Sequence, residues 1–329
     1  MTRPFSNRRR SLLMLTTVMG VLFFGTASAQ QAPQYTQYMF NQFGLNPAVA
    51  GSFQCRDFKL GYRTQWVGFD GAPNTFYLSA HGPLKVKSNG RQRGKHGIGA
   101  YINRDKIGPS TQMYINFAYA YHIKVQEKSW LSFGVFLGVQ YYRFRANELI
   151  TPTQDVAIDQ ASTSWVLPEL MPGIWYTSQN SYAGLSFKHV LGNKLKAHGP
   201  ESDLSRHYYL TAGRRFITHS GVSVTPSVMA KMAPSSPVSV DGNLMVDLSE
   251  RVGLGASYRH QDALAALLRL RLTYEFWLGY SYDITTSPLA AVSNNTHEIV
   301  LSWSPCGRGS NGMGSGGNGK KSGNCPAYQ

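Results

Sequence analysis

Cysteine, charge and long apolar runs are all scarce in this sequence. Its three cysteines, Cys55, Cys306 and Cys325, show no metal-site spacing, and charged residues make up 15% of the chain. After residue 29 no run approaches the roughly 18 apolar residues of a spanning helix. Helical membrane spans are therefore excluded from that part of the chain.

Motifs of enzymatic catalysis are missing too. The sequence has no G-x-S-x-G, no H-E-x-x-H and no phosphate-binding glycine loop. Its nine histidines are scattered singly. We expect no catalytic residue, no metal and no cofactor. An enzyme stays open as an alternative, because a catalytic triad can be assembled from distant strands.

The first 29 residues read as a secretory signal peptide. Arginines at positions 3 and 8–10 precede an apolar stretch over 12–24, and Ala27-Ser28-Ala29 fits a cleavage site. A non-cleaved anchor is the rival interpretation. Cleavage removes four arginines and lowers the net charge from +15 to +11. An exported chain rarely meets nucleic acid, so the excess of cations belongs either to lumen and interface residues or to a surface for an acidic partner.

Alternation with a period of two residues is the recurring signal after the leader. Over 113–123 the odd positions are large and apolar or aromatic, and the even positions are mostly small or polar. Over 268–276 leucines and aromatics alternate with Arg269, Arg271, Thr273 and Glu275. Such a pattern suits a wall between lipid and a wet lumen. A soluble sandwich shares this period, but export and the many Tyr and Trp residues favour a transmembrane antiparallel β-barrel.

The alternating segments predict about 14 strands. An even number places both termini in the periplasm and the long connections 144–167, 191–205 and 285–295 outside the cell. The predicted divisions are a signal peptide at 1–29, an aromatic N-terminal segment at 30–56, the barrel at 57–305 and a flexible Gly-rich periplasmic tail at 306–329. The predicted strands are 57–66, 75–82, 97–104, 111–123, 129–143, 168–178, 181–190, 206–216, 221–232, 237–248, 252–260, 264–272, 275–284 and 296–303.

Three further predictions concern particular side chains. The segment between residues 82 and 97 is long for a periplasmic turn, and it is either a solvated loop or a docking site that carries Lys85, Lys87, Arg91, Arg93 and Lys95. A Cys306–Cys325 disulfide, with free thiols as the alternative, would leave Cys55 over. Charges inside a barrel cost less than charges facing lipid, so we expect lumen positions for Arg63, Arg259, Arg269, Arg271, Asp283 and Glu298.

Ordered motifs resemble one known family. The N-terminal QYMFN at 37–41 and NPAVAGS at 46–52 resemble the opening signature of the PorP/SprF family of type IX secretion proteins. Further matches follow in order along the chain, among them YRTQW at 62–66, DKIGP at 105–109, GYSYD at 279–283 and HEI at 297–299.

The resemblance implies an outer-membrane component of the type IX secretion system of Bacteroidetes. It implies partners among the secretion machinery (a periplasmic ring lipoprotein with its companion, and the translocon) and a cargo protein or surface adhesin, as in gliding motility. The barrel would then be non-catalytic and would support export or surface attachment. An outer-membrane channel or porin-like transporter is the alternative.

The signature segment itself has two interpretations. It either braces or plugs the barrel, which we favour, or forms a partner-binding helix. The residues concerned are Gln37, Tyr38, Met39, Phe40, Asn41, Asn46, Pro47, Ala48 and Gly51.

Overall fold

The computed structural model describes residues 33–53, 55–84, 94–145, 148, 163–194, 204–234, 236–291 and 293–305. The predicted signal peptide, most of the predicted docking loop and the Gly-rich tail lie outside these residues. No helix within them is long and apolar enough to cross a membrane.

Strands make up most of the described chain, and the helices are single turns. The helical turns are α1 (Gln42–Leu45) and two short 3-10 turns at Pro47–Val49 and Pro288–Ala291. The strands are β1 (Asp57–Thr64), β2 (Asn74–Leu84), β3 (Gly94–Ile107), β4 (Ser110–Gln126), β5 (Ser129–Phe144), β6 (Thr163–Thr177), β7 (Ser181–Lys188), β8 (His207–Arg214), β9 (Phe216–Ile217), β10 (Ser223–Met232), β11 (Ser239–Asp247), β12 (Val252–Arg259), β13 (Ala263–Arg271), β14 (Phe276–Thr285) and β15 (Thr296–Trp303).

The strands form one closed antiparallel sheet. Each strand pairs with its neighbours in sequence, and the last strand, β15, pairs with β1 over Phe58–Thr64. The segments β8 and β9 both pair with β10 and are separated only by Arg215, so they act as one wall strand. The barrel therefore has 14 wall strands, which confirms the prediction, including the division between 264–272 and 275–284.

The apolar rows of the strands face outward. On β4, Phe117 is 66% exposed while Tyr114, on the opposite face, is 1% exposed. On β5, Leu137 is 57% exposed while Phe136 is fully buried. The outward rows thus form an apolar outer belt, whereas the inward rows carry polar and small side chains together with buried aromatic ones. This arrangement is that of a membrane barrel, since a soluble sandwich would bury the apolar rows.

Strand β6 begins earlier than predicted, at Thr163 instead of residue 168. It pairs with β5 along its whole length but with β7 only from Gly173 to Thr177. Proline has no N–H to donate to a ladder. Pro168 and Pro172 are tolerated because, within the described residues, that part of β6 has no strand partner on the β7 side.

The two ends of the barrel differ in their connections. We call the end that holds the start of β1 and the end of β15 the terminal end. Its turns at 127–128, 178–180, 248–251 and 272–275 are short, whereas the opposite end has the longer connections 65–73, 189–206 and 286–295. The connections 108–109 and 260–262 at the opposite end are short as well, and the periplasmic facing of the terminal end stays a prediction.

The luminal plug as the candidate functional site

Residues 33–53, which we call the luminal plug, lie inside the barrel. Tyr38 and Ala48 are fully buried, and Phe43 and Val49 are each 1% exposed. These side chains join the inward residues of the wall in one hydrophobic cluster. The aromatic content of the segment explains its position, because each buried ring removes a large apolar area from water.

A buried ionic network holds the start of the plug. Arg63 of β1 donates to Oε2 of Glu298 at 2.9 Å and to Oδ2 of Asp283 at 3.0 Å. Thr36 of the plug joins them, since its backbone N–H donates to Glu298 at 2.8 Å and its hydroxyl donates to Asp283 at 2.5 Å. Plug and wall therefore share the bonds that satisfy three buried charges, which would otherwise be costly to bury.

The next plug residues reach other parts of the wall. The Gln37 amide donates to the carbonyl oxygen of Glu298 at 3.0 Å, and the Tyr38 hydroxyl donates to Ser227 of β10 at 3.1 Å. Asn243 of β11 donates to the carbonyl oxygen of Thr36 at 3.1 Å. A short stretch of chain is thus tied to three separate strands.

Phe43 is the aromatic centre of the plug. Its ring centroid lies 4.5 Å from that of His81, 5.1 Å from that of Phe136 and 6.4 Å from that of Tyr101. These rings belong to β2, β5 and β3. These rings fill the space between the plug and the part of the wall formed by β2, β3 and β5.

Asn46 connects the plug to the place where β6 and β7 part. Its Nδ2 donates to the carbonyl oxygens of Ile174 at 2.9 Å and Leu185 at 3.2 Å, while its Oδ1 accepts from the N–H of Ala48 at 3.0 Å. An amide side chain can donate and accept at once. Asn46 thus starts the short turn at Pro47 and braces the wall.

Glycines of the wall give the plug backbone room to approach. A Cβ atom on Gly97 would lie 2.5 Å from the carbonyl carbon of Ala50, and one on Gly134 would lie 2.5 Å from the Cα of Ala48. Gly51 adopts φ +68° against Gly97. Glycine within a strand often marks such close approach of another backbone.

His122 of β4 fixes the end of the plug. Its Nε2 lies 2.8 Å from the carbonyl oxygen of Ala50, and its Nδ1 lies 2.7 Å from the Ser132 hydroxyl oxygen. Because a carbonyl oxygen only accepts, Nε2 carries the proton that it donates to Ala50. In the neutral ring Nδ1 then accepts from Ser132.

The predicted lumen charges all lie on inward rows of the strands. Besides the network of Arg63, Asp283 and Glu298, Arg259 is paired with Asp262 at 2.9 Å and Asp241 at 3.5 Å. Arg269 is paired with Asp247. Arg271 lies nearer the terminal end, with its guanidinium carbon 5.3 Å from the centroid of Trp277.

Most signature residues lie buried inside the barrel, a position consistent with the bracing role that we favour. Gln37, Tyr38, Asn41, Asn46 and Ala48 are each at most 3% exposed. Phe40 is only partly buried, and the partner contact of the signature segment stays a prediction. The segment is not a long helix, since its α-helical part is Gln42–Leu45.

Sequence reasoning missed several residues that hold the plug. Thr36 and His122 were not singled out, nor were Gly97 and Gly134, where the plug backbone approaches the wall. Glycines do recur on the inward rows of these strands, at 97 and 99 on β3 and at 134 and 138 on β5. Glu298 and Asp283, the acceptors of Thr36, are 262 and 247 positions away, so local pattern gave no access to them.

The cysteines depart from the prediction. Cys55 is disulfide-bonded, so the expectation that it is left over is wrong. Cys306 and Cys325, the predicted pair, lie outside the described residues. With three cysteines in the chain, an intramolecular bond at Cys55 must use one of those two.

Most of the predicted docking loop lies outside the described residues. Lys85, Lys87, Arg91 and Arg93 cannot be placed. Lys95 belongs to β3, where its Nζ lies 4.0 Å from the ring centroid of Trp130. Within the described part of the chain, no group of three or more His, Cys, Asp or Glu side chains is placed to hold a metal ion.

The fold has a counterpart among solved structures. The Ralstonia pickettii toluene transporter TbuX shares 8% identity at a TM-score of 0.51, over 80% of this chain and 93% of its own. A Pseudomonas aeruginosa FadL homologue shares 10% identity at a TM-score of 0.43, over 84% and 95% of the two chains. At 8% identity, the similarity to TbuX shows only that the two chains share a fold. No curated protein matches in sequence.

A closed barrel with an apolar outer belt defines an outer-membrane β-barrel protein. The family model described as type IX secretion system membrane protein PorP/SprF matches residues 27–303. The chain belongs to this family, and it is a component of the outer-membrane part of that system.

Proposed function

We propose that this barrel is a non-catalytic, protein-binding component that supports export or surface attachment of a secreted protein or adhesin. The observation that carries the proposal is the luminal plug. Its polar groups bond to strands on several sides of the wall, and its rings fill the lumen. A barrel filled in this way offers its ends and loops to other proteins and leaves little room for a permanent aqueous path.

The plug also weighs against the porin-like alternative. Open porins keep a water-filled lumen, whereas inward residues of this wall such as Phe136, Trp175 and Gln140 are fully buried. The structurally similar transporters share very low sequence identity with this chain and do not assign cargo to it.

The partners follow from the family and the facing that we propose. With both termini in the periplasm, the terminal end meets the periplasmic ring lipoprotein, its companion and the translocon. The longer connections at the opposite end meet the cargo or a surface adhesin, as in a gliding apparatus. Outer-membrane lipid covers the apolar belt.

Deletion of the gene tests the proposal. The secreted proteome and the set of surface-exposed proteins should each lose at least one cargo protein, and the wild-type gene supplied in trans should restore it. An unchanged secretome and cell surface, in a strain that also lacks every other member of the same family, would refute the proposed role.

The basic loop gives a second test. Replacing Lys85, Lys87, Arg91, Arg93 and Lys95 by glutamine should lower co-purification of periplasmic partners if the loop docks them. Unchanged recovery would show that it is a solvated loop. Equal amounts of folded barrel in the two preparations are the control.

A further inference from the structure

The terminal end of the barrel gathers basic and aromatic side chains around its opening. We call this set the terminal mouth, and it consists of Lys95, Lys124, Trp130, Arg269, Arg271 and Trp277. Each residue lies within three positions of the end of β3, β4, β5, β13 or β14, and these strand ends are all at the terminal end.

These side chains point toward the lumen. Lys95 lies over Trp130, and the guanidinium carbon of Arg269 lies 4.5 Å from the centroid of Trp277. The same guanidinium carbon is 5.7 Å from the ring of Phe40, which belongs to the plug. The mouth is therefore a shallow opening with the luminal plug as its floor.

Positive charge at the mouth is only partly compensated. Arg269 is paired with Asp247. Among the ion pairs of the described residues, none includes Lys95, Lys124 or Arg271. Lys95 and Lys124 are also close enough to repel each other. Neighbouring cations that form no ion pair create a positive potential that attracts an anionic ligand.

The position of the charges favours a polypeptide over lipid. Outward rows at the same level carry Phe58, Val125, Phe276 and Trp303, as expected for the membrane interface. The cations face the barrel opening instead. A lipid headgroup could reach them only if its acyl chain left the bilayer. Trp130 and Trp277 add flat apolar surfaces beside the cations, which suit the stem of an acidic side chain. The plug blocks passage, so a ligand docks here and does not cross.

We propose that the terminal mouth binds an acidic, extended segment of a partner protein. This inference rests on the proposed function, because it gives the chemistry of one partner of that platform. It specifies where the partner binds and which charges attract it.

Binding of fluorescent poly-L-glutamate tests the inference without any secretion assay. The full-length protein is placed in nanodiscs of zwitterionic phosphatidylcholine, and binding is followed by anisotropy over a range of salt. The mouth variant is Lys95→Gln/Lys124→Gln/Arg271→Gln. The matched control, Arg104→Gln/Arg143→Gln/Arg206→Gln, removes the same charge at the opposite end. None of its three arginines belongs to an ion pair of the described residues.

We expect wild-type binding that weakens with salt and a loss of about tenfold in the mouth variant only. Equal weakening in both variants would reduce the effect to net charge and overturn the proposal. Unchanged binding in the mouth variant would overturn it as well. If the mouth variant lost binding to phosphatidylglycerol vesicles but still bound poly-L-glutamate, the mouth would be a lipid-binding site and the proposal would be overturned. Since no cargo is involved, these results are independent of the deletion phenotype.

Discussion

Gly134 of β5 lies so close to Ala48 of the luminal plug that an added Cβ atom would lie 2.5 Å from the Cα of Ala48. Two backbones are thus in direct contact across the lumen. No flexible side chain can yield at this point, so the plug or the strand would have to move. This contact explains why the sequence has a glycine at this inward-facing strand position.

Gly134→Ala is therefore predicted to loosen the plug. Overpacking of a filled interior costs about 1–3 kcal/mol, and the midpoint of thermal unfolding, followed by the heat-dependent shift in gel migration, should fall. Gly242→Ala is the matched control, because nothing lies within 4 Å of a Cβ at that strand position. Equal midpoints for the two variants would show that the plug does not rest on Gly134.

Arg63→Met removes the cation shared by Asp283 and Glu298. The Arg63 and Glu298 side chains are 1% and 0% exposed, so two carboxylates would remain buried without the guanidinium that donates to both. Loss of one partner of a buried pair costs about 3–5 kcal/mol. Chemical denaturation in detergent measures the loss.

The exposed Arg104 supplies the control for this prediction, as Arg104→Met leaves no buried charge behind. Adding Glu298→Gln to Arg63→Met should recover part of the lost stability, because the uncompensated charge is smaller. A stability equal to wild type in Arg63→Met would contradict the network described for Thr36.

Asn46→Asp keeps the shape of the side chain but replaces its donor by an acceptor. The carboxylate would face the carbonyl oxygens of Ile174 and Leu185, and both hydrogen bonds would be lost. We expect a cost of about 1–3 kcal/mol and faster cleavage of the plug segment in limited proteolysis. Asn180→Asp, in an exposed turn, is the control. Identical cleavage rates would rule out a bracing role for Asn46.

The disulfide at Cys55 predicts one free thiol in each chain. Alkylation of the denatured, unreduced protein should label a single cysteine, and it should not label Cys55. Peptide mapping without reductant should find the Cys55 peptide linked to a peptide that contains Cys306 or Cys325. Alkylated Cys55 in the unreduced sample would refute this prediction.

Strand positions could be predicted from sequence because each wall strand repeats the same two-residue pattern. All 14 predicted strands overlap observed ones. Errors fall at strand ends, as in β3, which extends from Gly94 to Ile107 instead of 97–104. Outside the apolar belt the residues on both faces are polar or small, so the alternation fades while the hydrogen-bond ladder continues.

The plug could be anticipated only in part. Aromatic density before the first strand indicated a buried segment, and family motifs marked its limits. The contacts themselves join Thr36 to Asp283 and Asn46 to Leu185. These residues are far apart in sequence and meet only once the barrel has closed, so no local pattern predicts their contact. The close approach of the plug backbone to Gly97 and Gly134 depends on the path of the plug, which the sequence pattern does not specify.

Conductance across a planar lipid bilayer tests the plugged barrel most directly. The wild-type protein should insert without a steady open conductance, because the plug is bonded to the wall and packed against its inward rings. Gly134→Ala should show more frequent transient openings than Gly242→Ala. A steady, wild-type conductance like that of an open porin would contradict the account and favour a channel.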